Sequence, residues 1–75
     1  MNTPMTINLT VAFLVADGAG RLVPNGNDIF GVLKENNIEY SYREHGYLGE
    51  FADFEIQVEN YFQFQALGDF IFNSK

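Results

Sequence analysis

Apolar and polar residues alternate from Ile7 to Ala16, with Ile7, Leu9, Val11, Phe13 and Val15 on one side. Asn8, Thr10, Ala12, Leu14 and Ala16 fill the other. A period of two in β-branched and aromatic residues predicts a strand. The second side turns apolar at Ala12 and Leu14, so the strand is expected at the centre of a sheet, covered at its far end. Asp17-Gly18-Ala19-Gly20 is a turn signal. Arg21-Leu22-Val23 then reads as a short returning strand that Pro24 stops, because proline has no N–H for a ladder. Without that strand, residues 17–27 form a long loop.

Asn27 or Asp28 is placed to cap a helix that runs to about Asn36. Ile29, Phe30 and Leu33 share one face of it, with Val32 at the edge. Asn36-Asn37 suits the left-handed conformation that ends helices, and Ile38 the apolar contact that follows. Gly31 lowers intrinsic helix stability by about 1 kcal/mol relative to alanine, which points to close packing there. From Ile38 to His45 the alternation returns and predicts a strand, and Gly46-Tyr47-Leu48-Gly49 supplies the turn. Phe51 to Glu59 alternates in the opposite sense, with Phe54, Ile56 and Val58 facing one way and Asp53, Glu55, Gln57 and Glu59 the other. These two segments predict an antiparallel hairpin. Asn60 caps a last helix, Tyr61 to about Asn73, with Phe64, Leu67, Phe70 and Ile71 as its core stripe.

The order β-(β)-α-β-β-α predicts one α+β domain over residues 1–75, a three- or four-stranded, mainly antiparallel sheet with two helices on one face. Its expected core is Leu9, Val11, Phe13, Phe30, Leu33, Phe54, Ile56, Val58, Leu67 and Ile71. The pattern resembles a ferredoxin-like βαββα unit without its last strand.

Composition narrows the functional classes. The 75 residues hold no cysteine, so disulfides and thiolate metal sites are excluded, which fits a reducing compartment. The start, Met1-Asn2-Thr3-Pro4-Met5, lacks the basic region of a signal peptide, and no run is long enough to span a bilayer. The expectation is a cytoplasmic protein. Ten acids against four bases give a formal charge of −6, which disfavours nucleic acid and anionic membranes, favours a basic partner and also serves solubility.

Candidate chemistry is sparse, and the expectation is a non-enzymatic protein without cofactor or metal. His45 lies near Ser41 on a strand, but no motif orients that serine as a nucleophile. The acids do not follow the spacing of a calcium loop. Gly18-Ala19-Gly20 precedes a short strand, and Val23 stands where a dinucleotide fingerprint needs its third glycine. Arg21, Lys34, Arg43 and Lys75 are too dispersed for a nucleic-acid footprint, and the shared face of Tyr40 and Tyr42 fits core packing better than base stacking. A small-molecule regulatory domain would have only Arg21 and Arg43 as anion anchors and ranks last.

Two features point to binding instead. Asp53, Glu55 and Glu59 project from one strand face, with Glu39 extending the row from the neighbouring strand. Carboxylates at about 6.8 Å intervals imitate a phosphate backbone and fit a basic channel. The ordinary alternative is the solvent face of a hairpin, with Arg43 or His45 partly neutralising it. The second feature is an aromatic surplus: Tyr47 and Leu48 at the turn, Phe51 at a strand start, and Tyr61, Phe62 and Phe72 off the core stripe. Buried interface centres favour such rings.

An acidic, cysteine-free, aromatic-rich α+β chain with the hairpin strand Phe51-Ala52-Asp53-Phe54-Glu55-Ile56-Gln57-Val58-Glu59 resembles the small phage-encoded inhibitors of bacterial defence, including anti-CRISPR proteins. The resemblance implies stoichiometric binding to a nuclease complex in the host cytoplasm, over its nucleic-acid groove or at a subunit joint. The competing expectation is a regulatory or structural subunit that homodimerises through its C-terminal helix.

Overall fold

The first alternating run divides in two. In the computed structural model, which describes residues 4–73, β1 spans Met5–Ala12 and β2 spans Leu14–Ala16. The amides of Phe13 and Leu14 both donate to the Glu50 carbonyl, at 2.7 and 3.2 Å. Two successive amides aimed at one acceptor break the alternation, and the chain leaves the first sheet there. β2 pairs with β3 (Leu22–Pro24) in an antiparallel hairpin of its own, Leu14 opposite Pro24. The returning strand therefore exists, and Pro24 is its last paired residue. Its turn is held by the Asp17 carboxylate, which accepts from the amides of Ala19 and Arg21 at 2.8 and 2.9 Å. The Arg21 amide, then that of Ala19, holds the Asp17 carboxyl below its ordinary value.

Helix α1 spans Ile29–Glu35, and Asp28 caps it by accepting from the Gly31 amide at 3.1 Å. The crowding expected at Gly31 comes from that same carboxylate, which occupies the space a Cβ would need. At the other end Asn37 adopts φ 55°. The Asn37 amide donates to the Lys34 carbonyl at 3.2 Å and the Ile38 amide to that of Leu33 at 2.9 Å. These are the paired bonds of a Schellman stop, with buried Ile38 as its apolar contact.

Strands β4 (Glu39–His45) and β5 (Phe51–Val58) flank a single 3-10 turn, Tyr47–Gly49, and α2 spans Tyr61–Asn73. The main sheet has the order β1-β5-β4, antiparallel throughout. β4 thus runs parallel to β1, with α1 in the crossover between them and β5 inserted, the split arrangement of a ferredoxin-like unit. The expectation that the first strand is central is corrected: β5 is central and β1 is an edge. Ala52, Phe54, Ile56 and Val58 are all buried along β5, whereas Met5 at the start of β1 is exposed. The α+β class stands, with the strands divided between two antiparallel sheets rather than one.

Both helices pack on the same face of the main sheet, placing Ile29, Leu33 and Leu67 against β5. Phe13, at the bend, joins a ring cluster with Phe30, Tyr42 and Phe54 at centroid distances of 5.1 to 6.2 Å. The expected core residues lie in this cluster or against it, except Ile71; Ile29, Ile38 and Ala52 complete it. On α2 the buried residues are Gln63 and Leu67, while Phe64 and Ile71 are 45% and 43% exposed, so the expected stripe is rotated. Gln63 causes the rotation. Its Oε1 accepts from the Glu59 amide at 2.8 Å, and its Nε2 donates to the carbonyls of Asn36 and Asn37 at 3.1 and 3.2 Å. One side chain ties the start of α2 to the end of α1. No helix among the described residues is long and apolar enough to cross a membrane.

Candidate binding face

The helices cover one face of the main sheet, and the other is open. Register aligns its side chains in ranks across β1, β5 and β4: Thr6–Gln57–Glu39, Asn8–Glu55–Ser41, Thr10–Asp53–Arg43 and Ala12–Phe51–His45. Nine of these twelve positions are exposed, and Ala12, Phe51 and Gln57 are half-buried. A shallow depression crosses the middle two ranks, lined by Asn8, Thr10, Ser41, Arg43, Asp53 and Glu55 among others.

Asp53 is the best-anchored group on this face. Its Oδ1 accepts from the Thr10 hydroxyl at 2.7 Å and lies 3.0 Å from His45 Nε2. The Thr10 bond first, and the His45 bond next, hold the Asp53 carboxyl below its ordinary value; the charges of His45 and Arg43 act in the same direction. The group is fully solvated, so this is a matter of orientation more than of stored energy. Two ranks away, the Thr6 hydroxyl donates to Gln57 Oε1 at 3.0 Å. His45 also lies against Phe51, ring centroids 5.7 Å apart.

No protein-family model, curated protein or solved structure matches this chain.

Asp53 and Glu55 stand two residues apart on β5, about 7 Å along the strand. Glu39 is opposite Gln57 on β4, diagonal to Glu55. Glu59 lies beyond the end of β5, in the link to α2 where Gln63 holds its amide, and Gln57 interrupts the row before it. The continuous line becomes a compact group of Glu39, Asp53 and Glu55 beside one cation, Arg43. The sequence reading missed Thr10 as the partner that fixes Asp53; its signal was its place on the polar side of the first strand. The expectation that His45 lies against the acidic row agrees with its 3.0 Å contact to Asp53.

The aromatic set is dispersed. Tyr47 and Leu48 are exposed at the hairpin tip, where Leu48 takes φ 57°. Phe51 belongs to the open face. Tyr61, Phe62 and Phe72 are exposed on α2; helical spacing puts Tyr61 toward Phe64, Phe62 toward Asp69 and Phe72 between them on the outer face, and the rings of Tyr61 and Phe62 meet at 6.1 Å.

Proposed function

We propose that this chain is a non-enzymatic protein-binding inhibitor that lays its open sheet face against a basic surface of a nucleic-acid-processing complex, as phage-encoded anti-defence proteins do. The observation that carries this reading is an uncovered face of an antiparallel sheet with Asp53 and Glu55 on its central strand and Asp53 fixed by Thr10 and His45. Carboxylates already ordered on a rigid element lose little conformational freedom on docking, and complementary potential sets encounter rate and register. A chain of charge −6 draws a basic groove from a distance and repels competing nucleic acid. Phe51, half-buried against His45 at the end of the same face, adds an apolar contact next to the charges. The test immobilises the wild type and the Asp53→Lys, Glu55→Lys double variant, passes a bacterial lysate over both and elutes with salt. A nucleic-acid-binding protein held by the wild type, released by salt and lost on the variant supports the reading. Equal retention on both surfaces refutes it.

A further inference from the structure

We propose that two copies of this chain join through β1, antiparallel about a two-fold axis at Asn8, so that their sheets become one continuous sheet. The orientation of the edge follows from the bend. Phe13 lies opposite Glu50 in the same register that pairs Ala12 with Phe51, and its amide donates to the Glu50 carbonyl. The odd-numbered residues of β1 therefore exchange hydrogen bonds with β5, and the even-numbered ones aim their N–H and C=O groups outward. Ala12 agrees with this: its carbonyl accepts from the side-chain amides of Asn25 and Asn27, at 3.0 and 2.9 Å. Among the described residues, no hydrogen bond reaches the outward backbone groups of Thr6, Asn8 or Thr10.

Such an edge invites another strand unless charge, proline or a bulge blunts it. β4, the opposite edge, carries Glu39, Arg43, Glu44 and His45. β1, Met-Thr-Ile-Asn-Leu-Thr-Val-Ala, has no charge and no proline, and its pairing with β5 is unbroken. β1 is the long edge strand that brings no charged side chain of its own to such a contact.

The ends of the edge select a second copy and its register. At one end Pro4 has no N–H to donate, and at the other the Ala12 carbonyl is taken by two asparagines. In an antiparallel pairing centred on Asn8, Pro4 of one copy falls opposite Ala12 of the other. Both stops coincide, and the free stretch Met5–Val11 is matched in full. Thr6 falls opposite Thr10, and on the helix side Ile7 meets Leu9.

An apolar band continues from the strand edge onto α2. Ile71 borders Leu9 and Val11 beside this edge. Phe64 and Tyr61 lie on the same flank of α2, and Met5 is 53% exposed at the start of β1. These groups widen the contact beyond the strand edge, toward the roughly 800 Å² per partner that specific interfaces bury. A Cβ at Gly68, on that flank, would meet nothing within 4 Å, so two helices can approach closely there. The pairing is independent of what the open face binds, although it would set the Asp53 and Glu55 groups of both copies on one surface.

Light scattering and sedimentation equilibrium across a concentration series test it. The wild type should sediment as a dimer. Asn8→Pro removes the outward N–H at the axis and should raise the dimer dissociation constant by about tenfold or more. Its circular dichroism should stay that of the wild type, because the even-numbered N–H groups of β1 take no part in the ladder with β5. A wild type that stays monomeric at millimolar concentration overturns the proposal. So does a dimer that survives Asn8→Pro and is lost only in Phe64→Ser, which would make the helix the interface.

Discussion

Gln63→Leu should destabilise this protein, although it places an apolar residue at a buried helix position. Pattern reasoning gives the opposite sign: position 63 is 7% exposed, and burying a leucine there should stabilise by about 1–2 kcal/mol. Three hydrogen bonds decide the matter. The substitution removes the acceptor of the Glu59 amide and the donor to the carbonyls of Asn36 and Asn37. Each such bond contributes about 1 kcal/mol net, and a buried group left unpaired costs about 1–3 kcal/mol. Asn36 is half-buried, whereas Asn37 and Glu59 are exposed, so water replaces part of what is lost. The expected net loss is about 1–2 kcal/mol after the gain from leucine is set against it. For a domain of this size total stability is on the order of 4–10 kcal/mol, so the change is readily measured. Urea denaturation followed by circular dichroism, at one fixed protein concentration, should show a midpoint lowered by roughly 1–2 M for a slope near 1 kcal/mol per M. Leu67→Ala, which empties a site 1% exposed, should cost about 2–5 kcal/mol and calibrates the assay. A midpoint unchanged or raised in Gln63→Leu would refute the tie between the helices as the reason for the rotation of α2.

Other consequences follow from single groups. Thr10→Val should raise the Asp53 pKa toward the ordinary 3.8 in a carboxyl NMR titration, since the Thr10 bond is the largest cause of its depression. A carboxyl whose folded pKa is depressed contributes stability that is present above the unfolded value and is lost as pH falls through the folded one. Wild type should therefore lose more stability than Thr10→Val below about pH 4, and parallel acid profiles would refute the anchoring of Asp53. Gly46→Ala should destabilise by about 1–3 kcal/mol, because φ 87° with ψ −178° is a glycine conformation and the added Cβ would lie 3.0 Å from Glu50 and Phe51 side-chain carbons. Gly68→Ala, open on all sides, should instead stabilise the fold by about 1 kcal/mol in thermal unfolding at low concentration.

The elements were legible because local chemistry wrote them. The Asp28 cap, the Asn37 stop before Ile38, the glycines of the hairpin tip and the Asn60 start of α2 each satisfy backbone groups within a few residues, and each is found where the pattern placed it. Sheet order was not legible in the same way. The first strand carries the better alternation, yet β5 is central, because position in a sheet depends on which strand the helices cover. The break at Phe13 was hidden because residues 11–16 are apolar throughout and carry no turn signal; its cause is Glu50, distant in sequence. On α2, hydropathy favoured Phe64 over Gln63, whose three partners come from other elements. The open face was partly legible: Asp53 and Glu55 follow from period two, but the end of β5 at Val58 removes Glu59, and Thr10 enters only through strand pairing.

The open face is the surface expected to bind. Its most direct test compares retention of the same lysate partner by wild type, by Asp53→Lys with Glu55→Lys, and by Phe62→Ser on the far flank of α2, over a salt series. The expected result is a partner held by wild type and by Phe62→Ser, weakened about tenfold or more in the double variant, with affinity falling as salt rises. A partner that ignores the lysines and salt but is lost with Phe62→Ser would contradict it and assign binding to the helix.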